Sequence, residues 1–276
     1  MTTATPGTGT AAAPVRPPGV APAAQLLRVM RAEWTKLRSV RSTLWTLAAT
    51  VLVSIGLPAL ISLAVINSPR ARGTDFDAAG FSMSGLFLGQ LIVGSLGVLV
   101  VSGEYSTGTI RASLSAIPQR LTLLVGKTLT FALVLLVTAL VTCFAAFFLT
   151  EAILDSKSYG VTLSHPGSLQ VVVGGALYLV VVGLLGLGLG FVMRHTAAAI
   201  STVFGLLFVL PIVANFLPQS WQDHVVKYLP GQAGQAVFST TPQPHTMAPW
   251  TGLTLFLGYA LLGLLLGGVV LRRRDA

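Results

Sequence analysis

The chain has 276 residues, of which 53% are hydrophobic and only 9% are charged, whereas a soluble globular domain carries about 25% charged residues. This composition excludes an ordinary soluble enzyme or binding domain and indicates a membrane protein. The formal net charge of +9 is not accompanied by a basic patch with interleaved aromatic residues, so it favours membrane lipids over nucleic acid as a partner.

The N-terminal part changes character near residue 25. Residues 1–24 are largely Ala, Pro, Thr and Gly with one charge, which predicts a disordered cytoplasmic tail. Residues 25–41 combine basic residues with apolar positions at helical spacing, namely Leu27, Met30, Trp34 and Leu37. We expect an amphipathic helix in the inner membrane interface, with Trp34 at headgroup depth. A plain basic flank of the first span is the alternative.

Six stretches free of Asp, Glu, Lys and Arg are each long enough to hold a membrane span. A spanning helix needs about 20 apolar residues, and a charge at mid-bilayer costs roughly 2.5–3.5 kcal/mol. The sequence therefore predicts spans at about Ser42–Ile66, Ser84–Ser102, Thr128–Thr150, Leu169–Met193, Ala197–Leu217 and Pro249–Leu271.

The basic residues predict how these spans are oriented. With both termini inside, 13 of the 17 Lys and Arg residues lie on the cytoplasmic side, as the positive-inside rule requires. The four outside are Arg70, Arg72, Lys157 and Lys227. The predicted fold class is an all-α membrane protein with six transmembrane helices, both termini cytoplasmic, and one membrane domain over residues 25–276.

Residues 103–127, GEYSTGTIRASLSAIPQRLTLLVGK, form a polar cytoplasmic stretch between the second and third predicted spans. Apolar residues recur at helical spacing until Pro118, which predicts a short helix that presents one face to a soluble partner. We expect Gly108 to relieve crowding where the chain leaves the span. A carboxylate at the membrane edge is costly alone, so Glu104 should pair with Arg111 or with an arginine of the amphipathic helix.

Gly126-Lys127-Thr128 ends like a phosphate-binding loop, but the full motif needs a glycine where Leu121 stands. We therefore interpret Gly126 and Lys127 as the boundary of the third span. If ATP drives this protein, another polypeptide should bind it. The four histidines are isolated and the only cysteine is Cys143, so no metal, cofactor, disulfide or catalytic site is expected.

Two further patterns concern packing. The outer loop, residues 218–248, contains QSWQDHVVKYL and LPGQAGQAVFS, each with apolar spacing for a short helix that dips into the membrane surface. Glycines of the fourth and sixth spans allow close helix approach, and we expect them to serve packing within the chain rather than a dimer seam: Gly183, Gly186, Gly188, Gly190, Gly263 and Gly267.

The order of an acid, Gly-Thr, an amphipathic turn, Pro, a base and Gly-Lys in residues 103–127 resembles the loop after the second span in permeases of the ABC transporter type-2 export family. The stretches RAEWTKLRSVRSTLWTL and LPGQAGQA resemble actinobacterial members. The resemblance implies a coupling helix that receives motion from an ATPase, with these coupling residues: Glu104, Gly108, Thr109, Arg111, Leu114, Pro118, Arg120 and Lys127. It also implies that helix 25–41, with Trp34, Lys36 and Arg38, is an elbow helix beside that ATPase.

The resemblance further implies three partners in a bacterial plasma membrane: a separate ATP-binding cassette ATPase that binds the ATP, a second permease subunit, identical or homologous, and lipids. The apolar spans suit a hydrophobic or amphipathic cargo such as a drug, antibiotic, peptide or lipid. An ion-coupled secondary transporter is one alternative, but it needs intramembrane ionisable residues, and the predicted spans have essentially none. A non-transporting scaffold or sensor subunit is another.

Overall fold

The computed structural model describes residues 22–66, 77–116, 119–156, 159–218, 222, 224–241 and 246–273. Within these ranges the chain is predominantly helical and contains no strand, which confirms the all-α prediction for them. Residues 1–21 of the predicted tail lie outside the described part of the chain, as does Pro118.

The α-helices are numbered in chain order. They are α1 (Pro22–Ser39), α2 (Arg41–Val65), α3 (Ala78–Ser82), α4 (Leu86–Ser106), α5 (Thr109–Ala116), α6 (Arg120–Asp155), α7 (Ser168–Met193), α8 (Thr196–Phe204), α9 (Leu210–Ala214), α10 (Pro230–Gln235) and α11 (Pro249–Arg273). A π-helical turn, Gly205–Val209, joins α8 to α9. Short 3₁₀ turns occupy Val226–Tyr228 and Ala236–Phe238.

Among the described residues, six helices are long and apolar enough to cross a membrane, in agreement with the six predicted spans. They are Arg41–Val65, Leu86–Ser106, Arg120–Asp155, Ser168–Met193, Thr196–Ala214 and Pro249–Arg273. The third is longer than predicted, since it begins at Arg120 rather than Thr128. Its 36 residues measure about 54 Å at 1.5 Å per residue. A hydrocarbon core of about 30 Å therefore cannot contain the whole of α6.

Helix α7 lies at the centre of the bundle and packs against α4, α6 and α11. Glycines make two of these contacts close. A Cβ atom at Gly186 of α7 would overlap the carbonyl oxygen of Gly94 in α4, and one at Gly188 would lie 2.7 Å from the carbonyl carbon of Gly263 in α11. The prediction that these glycines serve packing within the chain is confirmed.

The segment PGQAGQ forms α10, and most of this helix is buried against other helices of the bundle. A Cβ atom at Gly234 would lie 2.5 Å from the ring of Phe256 in α11 and 2.6 Å from that of Tyr178 in α7. The Tyr178 hydroxyl donates to the Oε1 atom of Gln90 in α4, and the Nε2 atom of Gln235 donates to the Tyr178 oxygen at 3.4 Å. Close glycine contacts and the hydrogen bonds that link Gln235, Tyr178 and Gln90 therefore hold this helix in place.

Asp77 ties the start of α3 to the segment after α10. Its carboxylate accepts the Gly80 N–H at 2.8 Å, the Thr240 N–H at 2.8 Å and the Ser239 hydroxyl at 3.3 Å. A side-chain cap of this kind contributes about 1 kcal/mol. Both backbone donors lose their acceptor together if the carboxylate is removed.

Replacing Asp77 by alanine should therefore loosen both segments without unfolding the bundle. We expect amide hydrogen exchange at Gly80 and Thr240 to speed up at least several-fold, because each N–H loses its acceptor. Exchange measured by mass spectrometry checks this. Asp155→Ala is the control, since Asp155 is an exposed acid at the same end. Unchanged protection in Asp77→Ala would contradict the assigned bonds.

Candidate functional site

Four helices converge at the end of the bundle where α4 ends and α6 begins. Helix α1 packs along α6, and α5 contacts both α4 and α6. Three buried side chains, Val29 of α1, Ile110 of α5 and Leu123 of α6, form a small apolar cluster, with Tyr105 of α4 against it. This cluster holds the four helices together.

Four charged side chains form a closed ring at the same contact. The Lys127 Nζ atom donates to Glu33 Oε2 at 2.6 Å and to Glu104 Oε1 at 2.8 Å. The Lys36 Nζ atom donates to Glu33 Oε1 and to Glu104 Oε1, both at 2.9 Å. Acids and bases alternate, so the formal charge of this group is zero. We call Glu33, Lys36, Glu104 and Lys127 the charge ring.

The charge ring is largely withdrawn from solvent. The side chain of Lys127 is 2% exposed, that of Glu33 3% and that of Glu104 12%, while Lys36 is 41% exposed. Burying a charge costs several kcal/mol unless an opposite charge compensates it, and here each charge has two opposite neighbours. The Oε2 atom of Glu104 is buried and has no hydrogen-bond partner among the described residues.

Lys36 extends the ring to α5. Its Nζ atom also donates to the Ser113 hydroxyl at 3.3 Å, so one ammonium group contacts α1, α4 and α5. Partial burial works against the charged form, but the hydrogen bonds to Glu104 and Glu33 raise the pKa of Lys36 above its ordinary value. The ammonium group therefore stays charged throughout the neutral pH range.

Gly126 explains how α1 comes so close to α6. A Cβ atom at Gly126 would lie 2.5 Å from a methyl group of Val29. One turn further along α6, the Thr130 hydroxyl lies 3.5 Å from the carbonyl oxygen of Met30. The Gly126-Lys127 pair thus serves the helix contact: the glycine admits α1, and the lysine binds the Glu33 carboxylate that α1 brings.

Gly108 ends α4 and starts the turn into α5. Its φ of +72° is left-handed, a conformation that L-residues with a side chain rarely adopt. A Cβ atom there would meet nothing within 4 Å. The prediction that Gly108 relieves crowding is wrong, because the backbone conformation, not the space, requires glycine.

Three more of the predicted coupling residues, Thr109, Arg111 and Leu114, lie in α5 at the same end. Thr109 begins α5 and is exposed, with its hydroxyl 3.0 Å from that of Thr107. Arg111 lies on the exposed face of α5, and Leu114 lies in the same helix. Pro118 lies outside the described residues.

Arg120 has a different role from the others. Its Nη1 atom donates to the carbonyl oxygen of Leu271 at 2.7 Å. The Nη2 atom of Arg194 donates similarly to the carbonyl oxygen of Val270 at 3.2 Å. Both arginines therefore satisfy the C-terminal carbonyl groups of α11 and fix its end beside α6 and α7.

The prediction that Glu104 has a cationic partner is confirmed, and one partner lies on α1 as expected, but both partners, Lys36 and Lys127, are lysines rather than arginines. Lys127 was expected at the span boundary, but α6 starts at Arg120, which places Lys127 two turns inside the helix, where it meets Glu104. The polar stretch 103–127 is thus mostly helix, formed by the end of α4, by α5 and by the start of α6.

Helix α1 packs against its neighbours through a different set of residues from the apolar stripe expected to face the membrane interface. Val29, Glu33 and Leu37 are buried, whereas Leu27 and Trp34 are exposed from the protein, Trp34 by 50%. Arg38 is exposed as well. Glu33 was missed, although it is the only acidic residue before Asp75 and stands four residues from Val29 and from Leu37. Glu33 could have been found from the sequence, because it is an acidic residue on the same face of a basic helix as two apolar residues.

A cavity of about 560 Å³ lies beside the charge ring, between α1, α2 and α4. Its lining combines ring residues with side chains of the three helices, including Leu37, Thr43, Leu96 and Val100. Helices α1 and α2 meet at Val40, just beside it. The charge ring therefore borders an open space between α1, α2 and α4.

The family model described as ABC-2 family transporter protein matches residues 34–276, which includes every spanning helix, α5 and three of the four ring residues. No curated protein matches the chain.

Proposed function

The chain belongs to the ABC-2 transporter family, and from this premise we propose that it is the permease subunit of an exporter driven by a separate ATP-binding cassette ATPase. Two permease subunits, identical or homologous, would pair with two ATPase subunits in a bacterial plasma membrane. Both termini would be cytoplasmic, as the distribution of basic residues predicts. The family match and six spanning helices support the permease assignment.

The observation that carries the coupling part of this proposal is the position of α5. One face, with Arg111, Ala112 and Ser115, is exposed, whereas Ile110 and Ser113 face α1. A soluble ATPase could contact the exposed face while the other face stays bound to the membrane helices. Helix α5 would then be the coupling helix, and α1 the elbow helix beside it.

The charge ring gives this movement a defined route. A push on α5 reaches α1 through the contact of Ile110 with Val29 and through the bond from Lys36 to Ser113. The ring passes it to α4 through Glu104 and to α6 through Lys127. Both helices span the bundle, so a tilt at this end displaces their far ends. The neighbouring cavity gives α1 and α2 room to follow.

Blocking the exposed face of α5 should uncouple the ATPase from the permease. In a complex purified by co-expression with an ATP-binding cassette ATPase, we expect Ser115→Trp to lower permease-dependent ATP hydrolysis and efflux at least ten-fold. The bulky indole holds the ATPase away from α5. Ser156→Trp is the matched control, since Ser156 is an exposed serine beyond the opposite end of α6.

Two results would overturn this proposal. Failure of the permease to associate with any ATPase subunit encoded in the same genome would refute the transporter assignment. Normal hydrolysis in Ser115→Trp would refute α5 as the coupling helix. Ion-driven transport without ATP would instead favour a secondary transporter.

A further inference from the structure

A second polar site lies at the far end of α6. Glu151 follows Lys127 by 24 residues, about 36 Å along the helix at 1.5 Å per residue. With a hydrocarbon core of about 30 Å, Glu151 stands at the opposite membrane boundary from the charge ring. Neither the coupling proposal nor the family match gives this residue a role.

Glu151 is a carboxylate with too few partners. Its side chain is 8% exposed, and its Oε2 atom accepts the backbone N–H of Val161 at 2.5 Å. Its Oε1 atom is buried and has no hydrogen-bond partner among the described residues. Leaving a buried acceptor unsatisfied costs about 1–3 kcal/mol, and more for a charged group. By contrast, each acid of the charge ring is bound by two lysines.

Two acids and one histidine act on Glu151 electrostatically. Asp155, one turn along α6, and Asp77 act on it as like charges, whereas His165 acts in the opposite sense. Asp77 is occupied by its bonds to the segments at Gly80 and Thr240. The two acids outnumber the histidine, so this end of the chain favours a bound cation.

A cavity of about 320 Å³ gives a ligand access to this carboxylate. Its lining includes Phe147, Phe148, Glu151 and Asp155 of α6 and residues of the segment 160–163. The described lining therefore holds two carboxylates and two aromatic rings but no basic side chain. The rings of Phe147 and Phe148 lie edge to face with centroids 5.7 Å apart, and aromatic faces attract cations.

We propose that this cavity binds an organic ammonium ion attached to an apolar body. The N–H groups would donate to the carboxylate of Glu151, Asp155 would add attraction, and the apolar body would pack against Phe147 and Phe148. The ligand is either a free lipophilic amine or the headgroup of an aminolipid, since both present the same chemistry. The binding of this ligand does not depend on the proposed export function. Only the further step, that the protein exports the ligand, rests on that proposed function.

The test uses the full chain without any ATPase, in nanodiscs of phosphatidylglycerol, which carries no ammonium group. The probe is radiolabelled 4-phenylbutylamine, and 4-phenylbutanol is its uncharged counterpart. We expect saturable binding of the amine, after subtraction of empty nanodiscs, and at least ten-fold weaker binding of the alcohol. Glu151→Gln should weaken amine binding at least ten-fold, because glutamine keeps an acceptor for Val161 but loses the charge.

Two further variants keep the test decisive if Glu151→Gln does not fold. Asp155→Asn and Phe148→Leu should each weaken amine binding several-fold. Phe87→Leu is the matched control, since Phe87 is an equally exposed phenylalanine on α4 that does not line the cavity. Equal binding of amine and alcohol, or wild-type binding in Glu151→Gln or in both Asp155→Asn and Phe148→Leu, would overturn the proposal.

A second lipid composition separates the two sources of ammonium. If phosphatidylethanolamine in the nanodiscs competes with the amine, the site takes a lipid headgroup; if it does not, the site takes the free amine. Either result supports an ammonium site. Loss of this binding would leave the ATPase-coupling experiment untouched, and failure of coupling would leave the binding untouched.

Discussion

Alanine at Gly186 should destabilise the bundle by roughly 3 kcal/mol, at the upper end of the usual cost of overpacking a core. The new methyl group would overlap the carbonyl oxygen of Gly94. Both groups belong to backbones of spanning helices, so no side-chain rotation removes the overlap, and α4 and α7 must separate. Because α7 also packs on α6 and α11, the separation weakens the centre of the fold. Thermal and denaturant unfolding in nanodiscs measures the loss.

Gly258→Ala is the matched control for this substitution. Gly258 lies within α11, and a Cβ atom there would meet nothing within 4 Å. The change should be neutral or stabilise the protein by up to about 1 kcal/mol, the difference in helix propensity between glycine and alanine. Equal effects of the two substitutions would contradict the close contact between α4 and α7.

The spans and the close glycine contacts could be predicted from the sequence for a physical reason. Charges are expensive in a bilayer, so charge-free stretches delimit the spans almost directly. Glycine is the smallest residue, so a run such as Gly183, Gly186 and Gly188 announces a close helix contact. Both predictions need only local sequence information, and the structure agrees with both.

The charge ring required information that one helix does not contain. Glu104 meets Lys36 and Lys127, which lie 68 and 23 positions away in the chain. Composition offers 17 basic residues as partners, and nothing in the local pattern chooses among them. Because a lysine inside an apolar helix is costly on its own, the sequence predicts that Lys127 stands at the boundary of the third span. Its cost falls only when α1 delivers Glu33, a contact that the packing of α1 at Gly126 makes possible.

The burial of α10 among the other helices could not be predicted from the local sequence, for the same reason. The segment LPGQAGQ has the glycines and the apolar residues of a helix near a membrane surface. Its burial depends on the rings of Tyr178 and Phe256, which belong to two other helices. Both rings lie so close to the Gly234 backbone that only glycine fits there. Local composition predicted the helix, whereas the surfaces of α7 and α11 determine where it lies.

Lys127→Met should be the most damaging single change at the charge ring. It removes the cation shared by Glu33 and Glu104 and leaves two buried carboxylates with Lys36 alone. Breaking a buried ion pair on one side costs about 3–5 kcal/mol, and we expect a loss of this size in the free energy of unfolding. Lys227→Met is the control, since Lys227 lies far from the ring and contacts the Tyr228 ring; it should change stability by less than about 1 kcal/mol.

A double-mutant cycle then separates the stability of the ring from its role in coupling. Glu33→Gln with Lys127→Met removes one acid and one base and leaves Lys36 paired with Glu104. The double variant should therefore be more stable than the sum of the single changes predicts, by about 1–3 kcal/mol. Strictly additive losses would contradict the ring geometry.

Efflux by the assembled complex should stay low in the double variant even where stability recovers, because α1 is then no longer joined to α6 by a charged bond. If efflux returned together with stability, the ring would only hold the helices in place, and the movement of α5 would have to reach α6 through the apolar contact of Ile110 with Val29 and Leu123.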